Sequence, residues 1–262
     1  MTAQHGKGLP AWVDLAVDDI ATAKEFYEQL FGWQIEKMAD DETFTYYTIT
    51  NQGASIGGMM GKMNPYQPTA WLTYFETPDI EQSIVDVNNA GGKTYLPATD
   101  MPGGKFTFAS GLADEPFGLV EGTGMFTAFG RNLAGDLCWF ELEVGKNFPM
   151  VAKFYEDVFE SRLTKVADED TFRYYTFGPD DQRQVGGFYD ASLEFPSYLN
   201  GQSQWAVTFV VEDVNEFTTR LTELGGTVDS TSFDTPYGDF AMVHDPQGAF
   251  FVAMRPEPSQ PA

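Results

Sequence analysis

The chain repeats itself. Residues 21–33, reading Ala-Thr-Ala-Lys-Glu-Phe-Tyr-Glu-Gln-Leu-Phe-Gly-Trp, return in altered form at residues 151–159 as Val-Ala-Lys-Phe-Tyr-Glu-Asp-Val-Phe. Phe154 follows Phe26 by 128 positions, as Phe172 follows Phe44; Trp205 follows Trp71 by 134, as Gly225 follows Gly91. Blocks with constant internal offsets mark a duplication, so any architecture assigned to one half must be buildable twice.

Within each half the same order of elements is legible. Val13, Leu15 and Val17 alternate with Trp12, Asp14 and Ala16, the period of a strand with two different faces. Ile20, Ala23, Tyr27, Leu30 and Phe31 then recur at helical spacing, with Asp18 or Asp19 placed to cap the helix and Gly32 to end it. Thr43–Thr50 and Ala54–Met60, joined at Asn51-Gln52-Gly53, read as a hairpin. After the proline-bearing loop 61–68 a strand restarts at Ala70, and Asp79 with Gln82 forms a capping pair before the helix that stops at Gly91-Gly92. Strands follow near 94–96, 105–109 and 119–121. The second half repeats this with a strand at 137–144 and a helix at 147–159 capped by Asn147. A hairpin 171–188, a strand 204–211 and a helix 214–224 capped by Asp213 and Glu216 follow, then closing strands to Met254. The pattern predicts an α+β chain of four βαβββ units, with a boundary in the glycine-containing segment 125–135.

Composition excludes several classes of partner. With 15 basic and 39 acidic side chains the formal charge is −24, which disfavours nucleic acid and anionic membrane. No apolar run reaches the length of a bilayer span, and residues 1–10 lack the character of a signal peptide, so a cytoplasmic protein is expected. Cys138 is the single cysteine, which rules out an intramolecular disulfide and points to a buried, inert thiol.

Four βαβββ units, Ala23-Lys24-Glu25-Phe26-Tyr27 running through Leu30-Phe31-Gly32-Trp33, and Asp245-Pro246-Gln247-Gly248 before a last strand together resemble the vicinal oxygen chelate superfamily. That superfamily includes glyoxalase I, bleomycin-resistance proteins, extradiol dioxygenases and fosfomycin-resistance enzymes. The tandem arrangement is similar to an actinobacterial glyoxalase-like group. The resemblance implies two glyoxalase-like domains, residues 8–125 and 135–256, each an open, curled mixed sheet whose concave face takes a ligand. It fixes the fold more firmly than the reaction, since one fold serves many chemistries.

In metal-dependent members of that superfamily, His or Glu occupies the first strands and Glu the last. Here the corresponding positions hold Trp12, Leu72, Trp139 and Ala206, then Glu121 or Gly122 and Phe251 or Val252. Of these only Glu121 could ligate a metal, and the chain's two histidines are His5 and His244. No metal or other cofactor is therefore expected.

Each half instead carries an acid two residues beyond a tryptophan, on the same strand face: Asp14 after Trp12, and Glu141 after Trp139. Tyr47 and Tyr175, from the Tyr46-Tyr47 and Tyr174-Tyr175 pairs, are taken as the tyrosines lining the same cavities. These residues predict a pocket with an aromatic wall and a carboxylate, or alternatively tryptophans that fill the sheet and acids that are paired internally. The Gly57-Gly58 and Gly186-Gly187 pairs lack the lysine and helix N-terminus of a phosphate loop and imply a bulge or a close backbone approach. The expected function is metal-independent binding of a small aromatic or cationic molecule, by a monomer or homodimer, with antibiotic sequestration as one form. The alternative is a lyase, isomerase or hydroxylase-like enzyme using Asp14, Glu141 or an atypical metal site.

Overall fold

The computed structural model describes residues 6–40, 45–122, 129–194 and 199–257. The first half comprises β1 (Pro10–Val17), α1 (Ile20–Phe31), β2 (Gln34–Asp40), β3 (Thr45–Asn51), β4 (Ala54–Gly61), β5 (Ala70–Glu76), α2 (Ile80–Asn89), β6 (Lys93–Thr94), β7 (Thr99–Met101), β8 (Gly104–Ser110) and β9 (Pro116–Gly122). The second comprises β10 (Leu137–Glu143), α3 (Phe148–Phe159), β11 (Thr164–Asp168), β12 (Arg173–Phe177), β13 (Gly186–Tyr189), β14 (Gln204–Val210), α4 (Val214–Glu223), β15 (Thr227–Thr235), β16 (Gly238–His244) and β17 (Phe250–Pro256). A 3-10 turn, Ala191–Leu193, follows β13.

The expected α+β class is what the chain adopts. One mixed sheet has the order β2-β3-β4-β1-β5-β9-β8-β6, with β7 paired to β8; the other has the order β11-β12-β13-β10-β14-β17-β16-β15. In each, first strands pair in parallel with later strands, β1 with β4 and β10 with β13. The helix ends follow their sequence signals with one exception. Asp19 accepts from the amides of Ala21 and Thr22, and Gly32 closes α1 at φ 72°, a left-handed conformation that glycine adopts without strain. Asp79 and Asp213 cap α2 and α4 through the amides of Gln82 and Glu216. Asn147 precedes α3, but it is itself left-handed and its side chain makes no capping bond. The strand β11, absent from the sequence reading, is an edge strand with Lys165 and Val166 exposed, so no apolar alternation announces it.

Packing gathers the chain into two compact units, each drawing on both halves of the sequence. Unit one takes the described residues within Met1–Ala11, Thr73–Gly124 and Trp139–Ala206; unit two takes those within Trp12–Leu72, Met125–Cys138 and Val207–Ala262. Unit one therefore holds α2 and α3, and unit two holds α1 and α4.

The core of unit two is aromatic. Tyr27 meets Trp71 edge-on at 5.6 Å and stacks on Trp33 at 5.4 Å, and Phe209 and Phe251 complete the cluster. A buried acid anchors it. Asp245 of the Asp-Pro-Gln-Gly turn accepts from the amides of Gln247 and Ala249 and from the Tyr27 hydroxyl at 3.2 Å, while Tyr27 accepts from the Trp71 indole at 3.2 Å. Burial pushes Asp245 above the usual carboxylate range. The turn signature thus ties the first helix of the chain to its last strand pair.

Unit one uses the same device. Tyr155 of α3 accepts from the Trp205 indole at 2.9 Å and lies against Glu115, which precedes Pro116 as Asp245 precedes Pro246. Glu115 accepts from the Ala113 amide through Oε2, while its buried Oε1 has no hydrogen-bond partner among the described residues. Burial pushes this carboxyl up. Phe75, Phe117, Phe159 and Phe188 surround Tyr155. The tryptophans Trp71 and Trp205 are core residues, 4% and 5% exposed.

Candidate functional site

The strand registers decide which side chains share a face. In unit two, Asp14 is opposite Gly58 and Ala16 opposite Met60 across the parallel pair, and Tyr46 is opposite Met60 across the β3–β4 hairpin. Trp12, Asp14, Ala16, Tyr46, Gly58 and Met60 therefore lie on one side of the sheet. Leu15, Met59 and Tyr47 lie on the other, toward α1, whose Ile20 is close to Gly61 on that side.

On the first face three side chains are hydrogen-bonded to one another. The Tyr46 hydroxyl donates to Asp14 Oδ1 at 2.6 Å, and the Trp12 indole N–H is shared between Asp14 Oδ1 and the Tyr46 oxygen, both at 2.9 Å. Asp14 is buried at 5% exposure, and Trp12 and Tyr46 are half-buried. Burial and the adjacent Asp14 raise the Tyr46 hydroxyl far above the phenol range, which keeps it a donor.

Unit one repeats the cluster. Tyr174 donates to Glu141 Oε2 at 2.7 Å, and the Trp139 indole reaches both Glu141 Oε2 and the Tyr174 oxygen at 3.2 Å. Burial raises the Glu141 carboxyl above its ordinary value, against the opposing pull of the two donated bonds. Tyr175 lies on the other side, edge-on to Phe148 of α3 at 5.0 Å and beneath the Lys165 ammonium.

Four of the six residues singled out in the sequence, Trp12, Asp14, Trp139 and Glu141, are thus brought together in two clusters. The tyrosine of each cluster is Tyr46 or Tyr174, whereas Tyr47 and Tyr175 point toward the helices. Adjacent strand residues face opposite ways, so an error of one in register exchanges them. The glycine pairs carried the missing signal. A Cβ on Gly58 would sit 1.9 Å from the Tyr46 hydroxyl, and one on Gly187 would sit 2.2 Å from that of Tyr174. Their neighbours Gly57 and Gly186 clear the backbone oxygens of Val13 and Phe140 instead. Close approach on both faces, rather than a phosphate loop, explains the pairs.

The remaining candidates have structural partners. Glu121 Oε2 accepts from the Ile80 amide and so caps α2. His244 pairs through Nδ1 with Asp229 at 3.1 Å. The Cys138 thiol donates to the Thr208 carbonyl, and burial together with Asp136 pushes it up to about 12, which leaves it inert. His5 lies outside the described residues. Leu72 and Ala206 offer no donor atom, the indoles of Trp12 and Trp139 cannot ligate, and no group of three His, Cys, Asp or Glu able to hold a metal occurs among the described residues. The residues at these strand positions do not fit a divalent metal. Nor is any helix, among the described residues, long and apolar enough to cross a membrane.

CFP32 of Mycobacterium tuberculosis, provisionally named a glyoxylase, is 28% identical, with 98% of each chain covered. The anthracycline biosynthesis protein DauV of Streptomyces sp. strain C5 is also 28% identical, over 97% of this chain and 96% of that one. Among solved structures, the 2,3-dioxygenase LapB from Pseudomonas sp. KL28 superposes with a TM-score of 0.65 at 15% identity, covering 97% of this chain and 96% of its own. The Mn(II)-bound glyoxalase from Novosphingobium aromaticivorans does so at 0.61 and 14%, covering 98% and 90%. The family model described as glyoxalase/bleomycin resistance protein/dioxygenase superfamily matches twice, at residues 10–120 and 144–252. With both halves of its duplicated sequence matched, the chain belongs to the glyoxalase/bleomycin resistance protein/dioxygenase superfamily.

Proposed function

We propose that this chain binds a small aromatic or cationic molecule without a metal, on the sheet faces that carry Trp12, Asp14 and Tyr46 and, in the second copy, Trp139, Glu141 and Tyr174. One observation carries the reading: the same pattern of bonds, indole and phenol both donating to one carboxylate oxygen, occurs twice on the sheet face away from the helices. A carboxylate so engaged is not a metal ligand in waiting, because its donors hold it in place and the half-buried rings beside it offer a flat apolar wall. A polycyclic aromatic is a suitable ligand class, in keeping with the naming of the Streptomyces relatives as anthracycline biosynthesis proteins. Sequestration of such a molecule in the cytoplasm is the function proposed.

The raised Glu141 carboxyl, bonded to Tyr174, supports a second reading: an enzyme of lyase or isomerase type in which this acid moves a proton. Metal analysis of the purified protein and calorimetric titration with a panel of planar aromatics, neutral and cationic, separate the two. Saturable binding without metal and without turnover is the expected result. Stoichiometric divalent metal accompanied by turnover of a glyoxal or catechol substrate would overturn it.

A further inference from the structure

The two copies of the cluster are not equivalent. Across the parallel pairs, Ala16 opposite Met60 in unit two corresponds to Glu143 opposite Tyr189 in unit one. Tyr189 also pairs with Tyr174 across the β12–β13 ladder, so Trp139, Glu141, Glu143, Tyr174 and Tyr189 share one face. Phe172, 44% exposed, stacks on Tyr174 at 6.2 Å and 19° and meets Tyr189 at 5.9 Å. The nearby cations Lys165 and Arg173 are directed elsewhere, over Tyr175 and over Phe148.

The donor hydrogens of Trp139, Tyr174 and Tyr189 on this face are already used. Trp139 and Tyr174 both donate to Glu141 Oε2, and Tyr189 donates to Glu194 at 2.5 Å. Glu141 Oε1 accepts no hydrogen bond among the described residues. What the face offers a ligand is a carboxylate oxygen and the π-surfaces of three phenyl-type rings and an indole, and both attract positive charge. The Gln204 amide donates to Glu143 Oε2 at 2.7 Å, so among the described residues a neutral or anionic aromatic would meet only donors that already serve an acid or its neighbours, and an anion would also be repelled by Glu141 and Glu143.

We infer that the unit-one face is an organic-cation site in which Glu141 Oε1 receives the N–H of an ammonium group while the ligand's ring lies along Phe172, Tyr174 and Trp139. Unit two, with Ala16 and Met60 in place of Glu143 and Tyr189, has one acid and one ring fewer on the corresponding face. The inference rests on the small-molecule reading above and narrows its ligand class for one of the two copies. The acidic balance of the whole chain would add long-range attraction for the same ligand, weakened by salt.

The test uses the full chain and two probes of nearly equal shape, 2-phenylethylammonium and 2-phenylethanol, titrated by ligand-observed NMR. The ammonium is expected to bind at least tenfold more tightly than the alcohol. Glu141→Gln, which keeps an oxygen to accept from Trp139 and Tyr174, should weaken ammonium binding at least tenfold and leave the alcohol unchanged. Tyr189→Met should weaken the ammonium several-fold. Asp157→Asn removes an equal charge from the exposed face of α3, and it should change binding less than twofold once its effect is compared at matched ionic strength. Equal binding of the two probes, with both weakened by Trp139→Ala, would leave small-molecule binding standing and overturn the cation site. Ammonium binding unaffected by Glu141→Gln would overturn it equally. Failure of both probes to saturate would overturn the inference and count against small-molecule binding on this face.

Discussion

Gly187→Ala offers a sharp test of how the unit-one cluster is held. The three atoms nearest to a Cβ at this position all belong to Tyr174, at 2.2, 2.5 and 2.9 Å. The added methyl therefore cannot be accommodated while the Tyr174 hydroxyl stays 2.7 Å from Glu141. Overpacking costs about 1–3 kcal/mol. Loss of a hydrogen bond to a charged or partly charged acid costs about 1.5–3 kcal/mol. Because the cluster is half-buried, a sum of about 3 kcal/mol is expected for Gly187→Ala.

In a Tyr174→Ala background the obstacle is gone. Gly187 does not have positive φ, so alanine is then compatible with the backbone and stabilises by about 0.5 kcal/mol through the unfolded state. The same substitution should thus change sign between the two backgrounds, a coupling of about 3.5 kcal/mol, far above the few tenths expected of independent sites. Urea unfolding followed by both tryptophan fluorescence and circular dichroism measures it, with coincident transitions required before midpoints are converted to energies. An equal cost for Gly187→Ala in both backgrounds would refute the proposed packing. Gly186→Ala is the contrast: its Cβ would meet the Phe140 carbonyl oxygen at 2.3 Å, so removing Tyr174 should not rescue it.

Other consequences follow from the buried polar groups. Glu115 holds its proton more tightly folded than unfolded, so its contribution to stability is fully present below about pH 4.3 and is lost as pH rises through the raised folded value. Wild type should therefore lose stability relative to Glu115→Gln as pH rises from 4 to 7, and parallel urea midpoints across that range would contradict the assignment. Arg131 forks onto Asp136, whose side chain is fully buried and also accepts from Asn51 at 2.7 Å. Arg131→Ala should cost about 3 kcal/mol in urea unfolding, because it leaves a buried charge with, among the described residues, only its Asn51 side-chain donor, and Arg131→Lys should recover only part of this. Tyr27→Phe removes the hydroxyl between Trp71 and Asp245 and should cost about 1–3 kcal/mol, measurable in the same way.

The sequence alone determined the duplication, the order of elements, most helix caps and the family, because these depend on local periodicity and on residues at fixed offsets. Asp19, Gly32, Asp79 and Asp213 act within a turn or two of their own position, and such signals survive without knowledge of the fold. The Trp–acid pairs were equally legible, since residues two apart on a strand must share a face. What the tertiary structure alone decided was register across strands. It placed Tyr46 and Tyr174 beside the acids in place of Tyr47 and Tyr175, and set Tyr189 and Glu143 on the face where unit two has Met60 and Ala16. It also revealed why the Asp-Pro-Gln-Gly turn matters: Asp245 reaches Tyr27 across 218 positions of chain. Contacts of that separation depend on how strands from distant parts of the chain pair and pack, and no local pattern encodes them.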